Sequence, residues 1–77
     1  MHIGRRLANA RKSCGLVQWK AAQELGISEN ALSRFERGVR PIPGDVIVKA
    51  AKLYGDRTLL QADPVLAEAI DLWLQAA

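Results

Sequence analysis

Four glycines, Gly15, Gly26, Gly38 and Gly55, cut the first fifty-five residues into segments of helical length. The segments are rich in Ala, Leu, Arg, Lys, Glu and Gln, which give up little side-chain freedom in a helix. A glycine just after such a segment is the usual left-handed stop, because it has no Cβ to clash there. β-branched residues are few, and no apolar–polar alternation of a strand appears. The pattern predicts an all-α chain, a compact bundle of five helices.

The first helix is expected from about Ile3 to Cys14, with Ile3, Leu7, Ala10 and Cys14 on one face and Cys14 a small buried hydrophobe. Arg5, Arg6, Asn9 and Lys12 fall largely away from that face. A second, short helix spans about Gln18 to Leu25, with Ala21, Ala22 and Leu25 inward. The third begins at Ser28, whose hydroxyl suits an N-cap. Ile27 before the cap and Leu32 after it fit a hydrophobic staple, and Glu29 suits the helix dipole. Leu32 and Phe35 point inward together, and Gly38 ends the helix. Pro41 and Pro43 stiffen the loop that follows. A fourth helix is expected from Gly44 or Asp45 to Tyr54.

Beyond Gly55, Asp56 is placed to cap a short turn through Leu59 and Leu60. Asp63-Pro64 marks a further helix start, with a capping carboxylate and then proline at the first helical position. In the segment from Pro64 to Ala77, the polar residues Glu68, Asp71 and Gln75 form one narrow stripe, and the rest is apolar. Such a wide apolar surface either closes over the first helix or serves in part as a dimer contact, with Leu66, Ile70, Trp73 and Leu74 as the dimer candidates. The expected division is a core over residues 1–55 and a helical extension over 56–77 that packs on it and contributes to a dimer interface.

Composition removes several classes of function. Seventy-seven residues suit one domain with a modest core. Cys14 is the single cysteine and His2 the single histidine. An internal disulfide and a thiolate zinc site are thereby excluded, and a nucleophile–histidine pair would rest on a residue beside the N-terminus. No nucleophile–base pair, metal cluster or phosphate loop is seen, so no enzyme, metal, cofactor or small-molecule ligand is expected. No apolar run reaches the ~20 residues of a membrane span, and Met1 to Ala10 lacks a signal-peptide stretch. The expectation is a cytoplasmic binding module. Charge divides unevenly. Residues 1–55 carry ten Lys and Arg against four acids, a net +6, whereas residues 56–77 carry Arg57 against four acids, a net −3. A basic body with an acidic tail suits a polyanion partner for the body.

The run from Gln18 to Gly38 carries the strongest functional signal. Two short helices meeting at ~90–120° need a small side chain at the crossing, a turn residue that tolerates positive φ, and apolar residues on the second helix. Ala22, Gly26, and Leu32 with Phe35 answer those needs. The outer face must be polar and able to reach base edges, and Glu29, Asn30, Ser33 and Arg34 occupy it.

At these residues the chain resembles the Cro-like phage-repressor proteins, the xenobiotic-response-element type of helix-turn-helix. The resemblance runs without a gap from about Ile3 to Gly55. Its pieces are Ile3-Gly4-Arg5-Arg6-Leu7 with Ala10-Arg11, Gly15-Leu16-Val17-Gln18, Ala22 with Leu25-Gly26-Ile27-Ser28, Leu32 through Gly38, Arg40 through Pro43, and Lys49 through Gly55. Phe35-Glu36-Arg37-Gly38 is the most specific. The resemblance implies a lambda-repressor-like DNA-binding domain that binds double-stranded DNA, usually as a homodimer. It implies that Gln18 and Ser28 touch phosphate and that Glu29, Asn30 and Arg34 face bases, Arg34 suiting guanine and Asn30 adenine. It places Arg37 and Arg40 at the phosphate backbone, and it makes Arg11 and Glu36 an internal ion pair.

The chain departs from the family pattern at three positions. Val17 stands where Ser or Thr commonly caps the second helix, Ala21 stands where Leu is usual, and Trp19 replaces a smaller polar residue. Trp19 is expected to fold back toward Ala21, the other reading being that it lies against the DNA backbone. The function expected is a sequence-specific transcriptional regulator, most simply a repressor, with the recognition helix at about residues 28–37. The alternative is a protein-interaction module, such as an antitoxin or accessory subunit, that grips a partner protein through the C-terminal helix.

Overall fold

A computed structural model describes residues 3–62. It contains α1 (Ile3–Ser13), α2 (Gln18–Leu25), α3 (Glu29–Glu36), α4 (Gly44–Tyr54) and a 3-10 segment (Arg57–Ala62), with no strand among the described residues. The all-α bundle is therefore present, with four α-helices among the described residues. The expected fifth helix, with Leu66, Ile70, Trp73 and Leu74, lies outside the described residues.

The core is built around four leucines from four different elements. Leu7 of α1, Leu25 of α2, Leu32 of α3 and Leu59 of the 3-10 segment are the largest fully buried side chains. Each such burial contributes about 1.5–3 kcal/mol before entropy is counted. Helix α4 lays Val46, Ile47, Ala50, Ala51 and Tyr54 against them, at the spacing of a helix face. Phe35 closes the core beside Leu32. Helices α1 and α2 both pack on α3, and α4 packs on α2 and most extensively on the 3-10 segment. No helix among the described residues is long and apolar enough to cross a membrane.

Two glycines matter sterically. Gly26 takes φ 72°, ψ 28° at the end of α2, which lets the Ile27 N–H reach back to the Ala22 carbonyl at 3.0 Å and turns the chain into α3. Gly4 is a packing glycine. A Cβ there would collide with the Phe35 carbonyl oxygen and lie 2.9 Å from that of Glu36, so α1 runs against the last turn of α3 backbone to backbone.

The 3-10 segment is fastened at its start. Asp56 Oδ1 accepts from the Thr58 N–H at 3.0 Å and from the Thr58 hydroxyl. The Arg6 guanidinium donates to the Thr58 carbonyl at 2.7 Å, tying α1 to this turn.

Two expectations about burial are overturned. Cys14 is exposed, because α1 ends at Ser13 and the chain leaves the helical face before residue 14. Its thiol donates to the Tyr54 carbonyl at 3.2 Å. Arg11, four residues on from Leu7, occupies that face instead and is 9% exposed. Trp19 does not fold back either; it is 58% exposed. The inner stripe of α2 is Ala21, Ala22 and Leu25, all buried, and Trp19 lies off that stripe.

Candidate nucleic-acid interface

The candidate interface starts from how α3 is held. At its N-terminus the Ser28 hydroxyl accepts from the Ala31 N–H at 3.0 Å, which satisfies one of the unpaired donors there. Leu32 and Phe35 anchor its inner side at 0% and 3% exposure. Ile27, ahead of the cap, is partly buried against the same core. With the inner side fixed, helical geometry decides the outer one. Glu29, Asn30 and Arg34 are exposed, and Ser33 is half-buried beside them.

At its C-terminus α3 is locked by Glu36. Arg11 Nε lies 2.8 Å from Glu36 Oε2, and Arg11 Nη2 donates to Glu36 Oε1 at 3.1 Å. Arg11 Nη1 donates to the Leu16 carbonyl at 2.8 Å, and Gln18 Nε2 donates to Glu36 Oε1 at 3.1 Å. One carboxylate thus receives donors from α1 and α2 while sitting on α3. The hydrogen bond to Glu36 raises the Arg11 pKa above its usual range, against the opposing effect of burial. A guanidinium paired with a carboxylate and hydrogen-bonded through all three nitrogens is the form in which a buried charge is tolerated.

Beneath this network lies Tyr54, 7% exposed, whose hydroxyl has no hydrogen-bond partner among the described residues. Burial, and then the negative charge of Glu36, push its pKa up to about 12, with Arg11 pulling the other way.

The remaining sequence-derived positions are distributed around this frame. Gln18 keeps its second amide hydrogen and its oxygen outside the Glu36 contact, at the first turn of α2. That turn carries no side-chain cap, since Val17 offers none. Arg37 follows α3 and donates weakly to the Ser33 carbonyl at 3.4 Å. Arg40 lies with its guanidinium carbon 5.5 Å from the Phe35 ring centroid, so the loop cation is seated on an aromatic face. Gln18, Ser33 and Arg37 share one cleft between α1 and α3, and Arg37 also lines a second groove with Arg40, Phe35 and Ile42. Ser28, Glu29, Asn30 and Arg34 lie outside both.

Of the cations that line the cleft, sequence reasoning assigned no role to Arg5 and Lys12. Their signal was their spacing: with Ala8 they fall at i, i+3 and i+7 on the side of α1 away from Leu7 and Ala10. Gly4 had no such signal, because a glycine inside a helix does not announce what approaches it.

Residues 2–69 match the helix-turn-helix domain family. Over 67 residues the chain is 40% identical to the HTH-type transcriptional regulator ImmR of Bacillus subtilis (strain 168), an alignment covering 84% of this chain and 53% of that protein. The chain therefore spans about half the length of the curated relative it matches. No solved structure matches it. The two-helix unit about Gly26, the capped and anchored α3 and the extent of the family match lead to one conclusion: the chain belongs to the helix-turn-helix domain family, of the Cro-like type that its residues resemble.

Proposed function

We propose that this chain is a sequence-specific DNA-binding transcriptional regulator, acting as a repressor, that reads duplex DNA with α3. The observation that carries the reading is the exposed row Glu29, Asn30 and Arg34 on a helix fixed at one end by Ser28 and at the other by the Arg11–Glu36 pair. A reading helix needs side chains free to meet base edges on a backbone that does not move. In this reading Arg34 donates to guanine and Asn30 pairs with adenine. Glu29 accepts from cytosine, and Ser33 contacts a neighbouring base edge. Gln18, Ser28, Arg37 and Arg40 hold the phosphates. The family and the relative named above favour DNA over the protein-interaction alternative.

The finer assignments belong to the same proposal. Residues 1–55 form the reading core and residues 56–77 an extension. The active form is a homodimer on a two-fold site, and Leu66, Ile70, Trp73 and Leu74 supply its contact. The protein acts in the cytoplasm and has no catalytic role. The test is selection of duplexes from random sequence, followed by anisotropy titration. Arg34→Ala and Asn30→Ala are expected to relax preference at one base pair each, by about 1–3 kcal/mol. Unchanged affinity and unchanged preference in both variants would remove α3 as the reader.

A further inference from the structure

Among the described residues three large apolar side chains are exposed, Val17, Trp19 and Val39. Apolar residues scattered singly over a surface need no explanation. These three are not scattered along the chain: Val17 and Trp19 flank Gln18, and Val39 adjoins Arg40. Gln18 and Arg40 are the residues proposed above to hold phosphates. Trp19 is the largest of the three, and the fold makes no use of its ring. The inner stripe of α2 is already filled by Ala21, Ala22 and Leu25, and the indole N–H has no hydrogen-bond partner among the described residues. The Cα–Cβ bonds of a helix tilt toward its N-terminus, so the side chain of Trp19 leaves α2 at the end where Gln18 sits. Gln18 in turn reaches across to Glu36 of α3 at 3.1 Å. The exposed indole is therefore one residue removed from the contact that joins α2 to the reading helix.

We propose that Trp19 packs its indole on the deoxyribose edge of bound duplex DNA, beside the phosphate that Gln18 holds. The proposal rests on the DNA-binding reading above. Two observations select a sugar–phosphate strand as the occupant rather than a protein. The first is adjacency. Such a strand alternates anionic phosphates with apolar sugar C–H groups, and a polar amide at residue 18 followed by an aromatic ring at residue 19 repeats that alternation. The indole can also donate its N–H to a phosphate oxygen while its faces stay on the sugar. The second is continuity. Gln18 lines one cleft with Ser33 of α3, so a strand that meets Gln18 from the reading helix passes the neighbouring ring. Lys20, the next residue of α2, is paired with Glu24 at 3.4 Å, which leaves the indole as the side chain of this turn open to the strand beside Gln18. A smaller polar residue is usual at this position of the family pattern, so the contact belongs to this chain and not to the family at large.

The test combines tryptophan fluorescence with anisotropy titrations of the full chain against a selected duplex over a salt series. Trp19→Ala is expected to weaken binding about tenfold, the effect of taking roughly 55 Å² of apolar surface out of contact. The loss should be the same at every salt concentration, because an apolar contact releases no counterions and leaves the slope of log affinity against log salt unchanged. Arg40→Ala, which removes a charge, is expected to lower that slope by about 0.9. Trp19→Phe should keep most of the affinity. Saturating duplex should protect the wild type from acrylamide quenching, and the part of that protection lost in Trp19→Phe belongs to Trp19. Wild-type affinity in Trp19→Ala, with no protection assignable to Trp19, overturns the contact while leaving α3 as reader. Protection that appears on concentrating the protein without DNA, together with a changed sedimentation coefficient in Trp19→Ala, overturns it in favour of a contact between copies of the chain. A wild-type chain that ignores duplexes at low salt overturns both this contact and the DNA-binding reading.

Discussion

Arg11 grips Glu36 in a two-point fork, Nε on Oε2 at 2.8 Å and Nη2 on Oε1 at 3.1 Å, and joins α1 to the last turn of α3. Their side chains are 11% and 6% exposed, so water compensates little for the loss of either partner. Glu36→Ala strands a buried guanidinium and is expected to cost about 3–5 kcal/mol. Replacing both residues by apolar ones, Arg11→Met with Glu36→Leu, should cost much less than that single change, because no charge is left unpaired. Urea unfolding of the two single variants and the double variant checks this as a thermodynamic cycle.

Gly4→Ala sets helix propensity against space. Alanine in a helix interior gains about 1 kcal/mol over glycine. Here its methyl would run into the carbonyls of Phe35 and Glu36, which are backbone and cannot rotate away. Overpacking of this kind costs about 1–3 kcal/mol. The expected outcome is a net loss of stability and a lower Tm. A higher Tm would show that α1 and α3 can separate without penalty.

Val17→Ser is expected to act in the opposite direction. Residue 17 is extended, at φ −73° and ψ 157°, ahead of α2, and its side chain makes no capping bond. A hydroxyl there reaches an unpaired N–H of the first turn and adds about 1 kcal/mol. For a domain of this size that is roughly 4–8 °C in Tm, which calorimetry will resolve.

Tyr54 gives a pH-dependent prediction. A folded-state pKa of about 12 lies above the ~10 of an unfolded tyrosine. The folded state therefore holds the phenolic proton more tightly. That stability is fully present below pH ~10 and is lost as pH rises through about 12. Tyr54→Phe removes this part of the alkaline loss, and difference melts between pH 9 and pH 12 should show the wild type falling faster. At neutral pH the same variant deletes a buried hydroxyl that lacks a partner, so it should be neutral or more stable by up to about 1 kcal/mol.

Much of the frame was legible in the residues because local chemistry determines it. Ser28 caps, Gly26 turns and Leu32 with Phe35 anchor for reasons contained within a few positions of chain. The bounds of α2 and α4 follow from the same signals. Cys14 and Trp19 are exposed against expectation because their fate depends on where a helix stops and how tightly it is pressed to its neighbours. Neither periodicity nor hydrophobicity encodes that. Gly4 fits the family pattern, yet its reason, a carbonyl of Phe35 against the α1 backbone, exists only once the helices meet. For the candidate interface, side-chain type and face were readable. The third donor onto Glu36, the Gln18 amide, required coordinates.

The carboxylate of Glu36 stands where three helices converge, one ligand each from α1 and α2 and its own attachment to α3. Genetics on such a hub would mislead. If α3 reads duplex DNA as proposed, a screen for lost operator occupancy would return Arg11 and Glu36 alongside Arg34, with identical phenotypes from unrelated causes, collapse in the first two and blindness in the third. Dosage separates them: overproduction should rescue an unstable scaffold in part, whereas a folded protein that has lost its base contact gains no selectivity from abundance.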